Sequence, residues 1–213
     1  MIFHAQKAIF FHVPKVAGYS IEQCILPGPR DYRKFNKDIV FGLDKGLMTQ
    51  HLAYNTLQKY VDKDILDSYF KFAFFRNTWD RLASAYFYLE PLHNSIFGNF
   101  SNCIKRVCED VKGDYVEGWH FCKQTDYLYK NKKDGELAVD YIGRYENLEQ
   151  DFKNICDRLN MPYKPLKKTN RSPKKTLHYT EYYTDETKQL VYESFKDEIE
   201  YFKYTFSNET HTR

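Results

Sequence analysis

Short apolar runs broken by small and polar residues set the rhythm of this chain. Ala8 to Phe11 are apolar throughout, which predicts a strand buried on both faces, then a turn over Val13 to Gly18 and a helix starting near Tyr19. Lys71 to Leu89 repeat that order of apolar strand, polar turn and helix. Tyr141 to Tyr145 read as another strand, and Leu148, Phe152, Ile155 and Leu159 fall at the three- and four-residue steps of a core-facing helix. The same spacing in Ile96, Phe100, Ile104, Val107 and Val111 predicts one amphipathic helix. Leu190, Val191, Phe195, Ile199 and Phe202 predict the last helix, with Thr184 as N-cap and Asp185 and Glu186 in its first turn. Weaker signals place a short strand at Asp38 to Phe41 and short helices at Tyr54 to Tyr60 and Asp62 to Ser68. Strands alternating with helices, with polar loops at strand C-termini, imply an α/β fold: a three-layer parallel sheet flanked by helices.

Composition narrows the function classes. The 213 residues are 42% hydrophobic, enough to bury one sizeable core, and a single domain over residues 1–213 is expected. No run approaches the roughly twenty apolar residues of a membrane span, and Met1 stands just before the first strand without a basic, apolar leader. A soluble, cytoplasmic protein is expected. The net charge of +3 is too small to argue for nucleic acid, and the aromatic residues follow no RNA-binding motif. Five cysteines form neither a CxxC pair nor a Cys/His set with zinc spacing, so reduced thiols and no metal are expected. Charge is concentrated in Lys164 to Lys175, which holds six basic residues and two prolines without an acid. That loop reads either as a solvated surface segment or as a flap over an anionic ligand.

The chemistry sits in Ile9 to Ile21, IFFHVPKVAGYSI, where the apolar run stops at Pro14-Lys15. A strand feeding a small-residue turn and a helix N-terminus brings backbone N–H groups together around a phosphate-like group. Gly18 lets the backbone approach, Ser20 offers a hydroxyl and Lys15 a full positive charge. The competing reading is a purely structural turn. A nucleotide-kinase loop would have its lysine after the glycine, as GxxxxGK[ST], and here Lys15 precedes Gly18.

The segment HVPKVAGYS resembles the HIPKTAGTS signature of sulfotransferases that use 3′-phosphoadenosine 5′-phosphosulfate (PAPS), notably the carbohydrate-modifying ones, with Val16 and Tyr19 where the family commonly has Thr. FAFFRNTWDRLASAY is similar to the family's FAFVRNPWDRLVSAY block, Thr78 replacing its Pro, and DYIGRYENLEQDF to its IGRxENLxxDF block. The resemblance implies a P-loop-like sulfotransferase fold. It puts the amides of Val16, Ala17, Gly18, Tyr19 and Ser20, with Lys15, on the 5′-phosphosulfate, and Arg76 and Ser84 on the 3′-phosphate. Trp79, Asp80 and Arg81 are read structurally, as a packed aromatic and a solvated or helix-orienting charge pair. An N-x-S pair in the basic loop adds Ser172 to the nucleotide contacts, and His120 with Gln124 matches a later block expected to meet the acceptor. Relatives anchored in the Golgi membrane make a trimmed lumenal catalytic domain the alternative to a cytoplasmic protein.

The reaction implied is in-line transfer of a sulfuryl group from PAPS to an acceptor hydroxyl, on a carbohydrate by family similarity, with no metal. Lys15 and the loop amides would stabilise the leaving oxygen, and a histidine would take the proton, since an imidazole with a pKa of about 6.5 suits that task. His51 is the first choice, because the family has a histidine between its two phosphate motifs; His12 reads as structural and His120 stands next in line. Two alternatives stay open: an ATP-dependent phosphotransferase, which would need a Walker-type Lys-Ser/Thr pair, and a non-catalytic binder of sulfated or phosphorylated polymer using the basic loop. Oligomeric state is unreadable.

Overall fold

The computed structural model describes residues 1–112, 119–167 and 174–207. Strand β1 (Ile2–Phe3) turns through one 3₁₀ turn, His4–Gln6, and returns as β2 (Ala8–Phe11), which leads to helix α1 (Gly18–Ile25). A hairpin of β3 (Leu43–Asp44) and β4 (Leu47–Met48) closes through Lys45 and Gly46, at φ 47° and 85°, the left-handed pair that matches the strand twist. Helices α2 (Tyr54–Leu57) and α3 (Lys63–Ser68) precede β5 (Phe70–Phe75). Helices α4 (Thr78–Tyr88), α5 (Glu90–Phe97) and α6 (Phe100–Lys112) follow. The chain continues with the hairpin β6 (Tyr129–Asn131) and β7 (Glu136–Leu137), then β8 (Tyr141–Arg144), α7 (Leu148–Arg158), α8 (Asp185–Ser194) and α9 (Lys196–Phe202).

The described residues gather into two units, one of residues 1–75 and 126–167, the other of residues 76–112, 119–125 and 174–207. The first holds a four-stranded sheet of order β1-β2-β5-β8. Its β2, β5 and β8 are parallel, with Phe10 opposite Phe72 and Ala73 opposite Ile142, so the C-terminal ends of β2 and β5 lie side by side. Every residue of β2 and all but the first of β5 are buried, which explains why both read as unbroken apolar runs. The expected all-parallel sheet is corrected at its edge: β1 pairs antiparallel with β2. Only His4 to Lys7 separate the two strands, far short of the dozen or so residues a parallel crossover needs. The strand expected at Asp38 to Phe41 is a turn instead, with Val40 at φ 49° and its ends tied by an Asn36–Phe41 bridge. Val40 and Phe41 enter the core from that turn, which is why the segment looked apolar without pairing. The helix expected through Tyr60 stops at Leu57.

The second unit is helical, built around Trp79, Leu82, Phe100, Ile104, Val191 and Phe195. The one helix expected through Ile96 and Val111 is two. Gly98, at φ 79°, caps α5 through its N–H on the Asn94 carbonyl, and Asn99 Oδ1 accepts from Asn102 N to start α6. Ile96 therefore leaves the buried stripe and is 55% exposed. The last helix likewise breaks at Phe195, between α8 and α9. Thr184 caps α8 as expected, with Thr187 completing the capping box. Among the described residues no helix is long and apolar enough to cross a membrane.

Candidate active site

The turn after β2 departs from ordinary backbone at two non-glycine residues, Lys15 at φ 69° and Ala17 at φ 66°. A left-handed residue with a Cβ costs about 1–2 kcal/mol, and strain of this kind concentrates where a loop must shape itself around a ligand. Ala17 is the N-cap of α1, and the first intrahelical bonds run from Ser20 N and Ile21 N to its carbonyl, at 3.0 and 3.2 Å. The amides of Gly18 and Tyr19 therefore project from the positive end of the helix. Val16 is fully buried, so the residue that replaces a threonine serves the core. Lys15 and Tyr19 are partly exposed. The Ser20 hydroxyl donates to the Lys167 carbonyl at 2.7 Å and so pins α1 to the start of the basic loop.

The same unit brings His51 to this turn by way of His12. The two imidazoles stand 4.3 Å apart, centroid to centroid, and His51 Nδ1 lies 2.8 Å from the His12 carbonyl oxygen. A carbonyl only accepts, so Nδ1 carries the hydrogen and the neutral ring keeps its lone pair on Nε2. The Tyr127 hydroxyl holds the His51 carbonyl at 3.0 Å. His12 Nδ1 is 2.7 Å from the buried Glu22 carboxylate, which Arg30 approaches to 3.9 Å. His12, just past the end of β2, is thus hydrogen-bonded through Nδ1, as expected.

Arg76 follows β5 directly and is 5% exposed. Its Nε and Nη2 both bond Asp80 Oδ2 at 2.7 Å, while Lys175 Nζ bonds the other carboxylate oxygen. Burial by itself would push the Asp80 carboxyl up; Arg76 first, and then Lys175, outweigh it and hold the group at about 2. Asn77 caps α4 through Asp80 N at 3.5 Å. Ser84, partly exposed, lies one turn beyond Asp80 on the same helix face. Of the two readings of Asp80 and Arg81, solvated or helix-orienting, the solvated one is overturned: Asp80 lies in the first turn of α4, and Arg81 is fully buried and donates to the carbonyls of His120 and Cys122, at 2.9 and 2.7 Å.

The sequence profile of the sulfotransferase family matches residues 1–205. The chain belongs to the sulfotransferase family. An uncharacterised protein of Archaeoglobus fulgidus is 32% identical to it over 103 residues, which are 48% of this chain and 77% of that protein. No solved structure matches.

In this sulfotransferase the residues expected to meet the acceptor are enclosed. His120 is 7% exposed, with its ring against Trp119 and Tyr88. Gln124 is fully buried and its amide is spent on Arg76 and Glu198, so it turns no atom outward to an acceptor. Ser172 lies outside the described residues. Sequence reasoning missed Glu198 and the pairing of Asp80 with Arg76 and Lys175. Asp80 and Arg76 stand at helical i,i+4 spacing, a signal that could have found the pair. Glu198 gave no such signal: burial pushes its carboxyl up, against the pull of Arg81, Thr78 and Gln124. Among the described residues no group of three His, Cys, Asp or Glu side chains could hold a metal ion.

Proposed function

We propose that this sulfotransferase moves a sulfuryl group from PAPS to an acceptor hydroxyl, with His51 as the base. The observation that carries the reading is the bond from His51 Nδ1 to the carbonyl of His12, the residue just before the Lys15 turn, which leaves the lone pair of the neutral ring on Nε2. PAPS supplies the sulfuryl electrophile and departs as adenosine 3′,5′-bisphosphate. The residues present suit such a group: a strained, small-residue turn at a helix N-terminus for the phosphosulfate, and a buried arginine held in one pose by Asp80 for the 3′-phosphate. His51 Nε2 takes the acceptor's proton as the new oxygen–sulfur bond forms. Lys15 and the amides of Val16 to Tyr19 are the groups that would stabilise the oxygen on which negative charge builds, the Ser20 N–H being spent on the Ala17 carbonyl, and being preorganised they reorganise little during the reaction. Arg76 and Ser84, with Ser172, hold the 3′-phosphate. A carbohydrate acceptor, a P-loop-like fold and one working domain over residues 1–213 complete the proposal; these rest on the resemblance of HVPKVAGYS and FAFFRNTWDRLASAY to the carbohydrate-modifying members.

The test is transfer of label from radiolabelled PAPS to a panel of sugar, lipid, phenol and peptide acceptors, alongside melting temperatures. Binding to the folded state alone raises stability by mass action. Adenosine 3′,5′-bisphosphate is expected to raise the melting temperature well above the effect of equimolar ATP. Equal shifts with the two nucleotides would point to the phosphotransferase instead.

A further inference from the structure

Arg76 N is the first backbone amide past the parallel ladder, whose last pair is Phe75 and Arg144. A buried amide at that point needs a partner or loses the free energy of a hydrogen bond. One side chain serves both backbone groups of Arg76: its N–H donates to Gln124 Oε1, and Gln124 Nε2 donates back to its carbonyl, each at 2.9 Å. The Gln124 amide thus satisfies the Arg76 backbone as a ladder partner would. It is itself held by Glu198, whose Oε2 accepts from Gln124 N at 2.7 Å and whose Oε1 accepts from Gln124 Nε2 at 3.1 Å. The Thr78 hydroxyl donates to that same Oε1 at 2.7 Å, so the carboxylate also ties down the first turn of α4. Gln124, Glu198 and Thr78 are all 0% exposed.

We propose that Gln124 and Glu198 are positioning residues for the phosphate grip of Arg76. They fix the backbone from which the guanidinium departs, while Asp80 fixes its far end. The inference rests on the 3′-phosphate role given to Arg76 above. An apolar core of the same volume would bury as much surface and leave the Arg76 N–H and C=O without partners. Thr78 has its reason here too, since a proline at that position could not bond Glu198.

The experiment compares affinities for adenosine 3′,5′-bisphosphate and adenosine 5′-monophosphate by calorimetry, because their ratio isolates what the 3′-phosphate adds. The unaltered protein is expected to favour the bisphosphate by about 10- to 100-fold, the usual worth of charge-assisted contacts to phosphate. Gln124→Leu removes both bonds to Arg76 at little change in volume and is expected to bring the ratio within about threefold of that for Arg76→Ala. The monophosphate affinity should be kept. Glu198→Gln sets an NH₂ among donors and is expected to lower the ratio by a smaller factor. A merely structural role would lower the melting temperature and weaken both nucleotides alike. An undiminished ratio in folded Gln124→Leu would overturn the inference; if that variant does not fold, Glu198→Gln decides by the same criterion. No preference in the unaltered protein would instead refute the 3′-phosphate reading on which the inference stands.

Discussion

The imidazole of His12 occupies the space that a side chain at Gly18 would need: a Cβ there would lie 2.0 Å from both Cδ2 and Nε2. The ring cannot easily yield, because Glu22 holds its Nδ1 and it stacks on Phe10. The glycine is thus required by close approach of a neighbour. Gly18→Ala is expected to destabilise the fold by about 1–3 kcal/mol, the usual cost of overpacking. Urea denaturation checks this. The pair Gly18→Ala with His12→Ala should show a coupling energy of about 1 kcal/mol or more, since the second change removes the obstacle; strict additivity would mean that the ring is not the cause.

The Lys15 turn and Arg76 should separate in kinetics. Arg76→Ala is expected to cost about 1.5–3 kcal/mol in affinity for adenosine 3′,5′-bisphosphate, because a ground-state contact to phosphate is lost. Lys15→Ala is expected to lower turnover by about 10²- to 10³-fold at saturating PAPS, because its charge answers one that builds in the transition state. Calorimetry of the Arg76 variant and initial rates of the Lys15 variant read the two effects. Unchanged bisphosphate affinity in Arg76→Ala would remove it from the nucleotide site.

His51→Ala is expected to lose about 10²- to 10⁴-fold in turnover, the range for a positioned base, while bisphosphate affinity stays at the level of the unaltered protein. The measurement needs a productive acceptor and so follows the acceptor screen. Near-normal turnover in a folded His51→Ala protein would remove His51 from the mechanism and make His120 the next residue to test.

Acid should loosen the Arg76 end through Asp80. Its folded carboxyl titrates at about 2 against an ordinary 3.8, so its contribution is complete above pH 3.8 and is lost as pH falls through about 2. That shift corresponds to about 2 kcal/mol. Glu198 runs the other way: its raised carboxyl adds stability below its ordinary 4.5, and this is lost as pH rises through the folded value. In acid titrations of melting temperature, the gap between the unaltered protein and Asp80→Asn is expected to close between pH 4 and pH 2. A gap that stays constant over that range would show that Asp80 carries no charge-dependent stability.

What could be read along the chain was local. The buried strands at Ala8–Phe11 and Phe70–Phe75 announced themselves as unbroken apolar runs, and the Thr184 cap stood where side-chain chemistry puts it. The order of strand, small-residue turn and helix pointed to Lys15 to Ser20, and the resemblance of FAFFRNTWDRLASAY to the family block pointed to Arg76. Breaks such as Gly98 went unread because the apolar stripe keeps helical spacing across a break, while only the backbone angle ends the helix.

The sequence alone therefore determined the α/β class, because hydrophobic period and turn chemistry act over a few residues, and its resemblance to the family named the residues now proposed for the two phosphate loops. Tertiary structure decided which atoms of those loops are held, and by what. Gln124 reaches Arg76 across 48 positions, Glu198 reaches Thr78 across 120, and His51 reaches the His12 carbonyl across 39. A buried donor or acceptor finds its partner in space, and nothing in the spacing of residues along a chain says which distant side chain will be there.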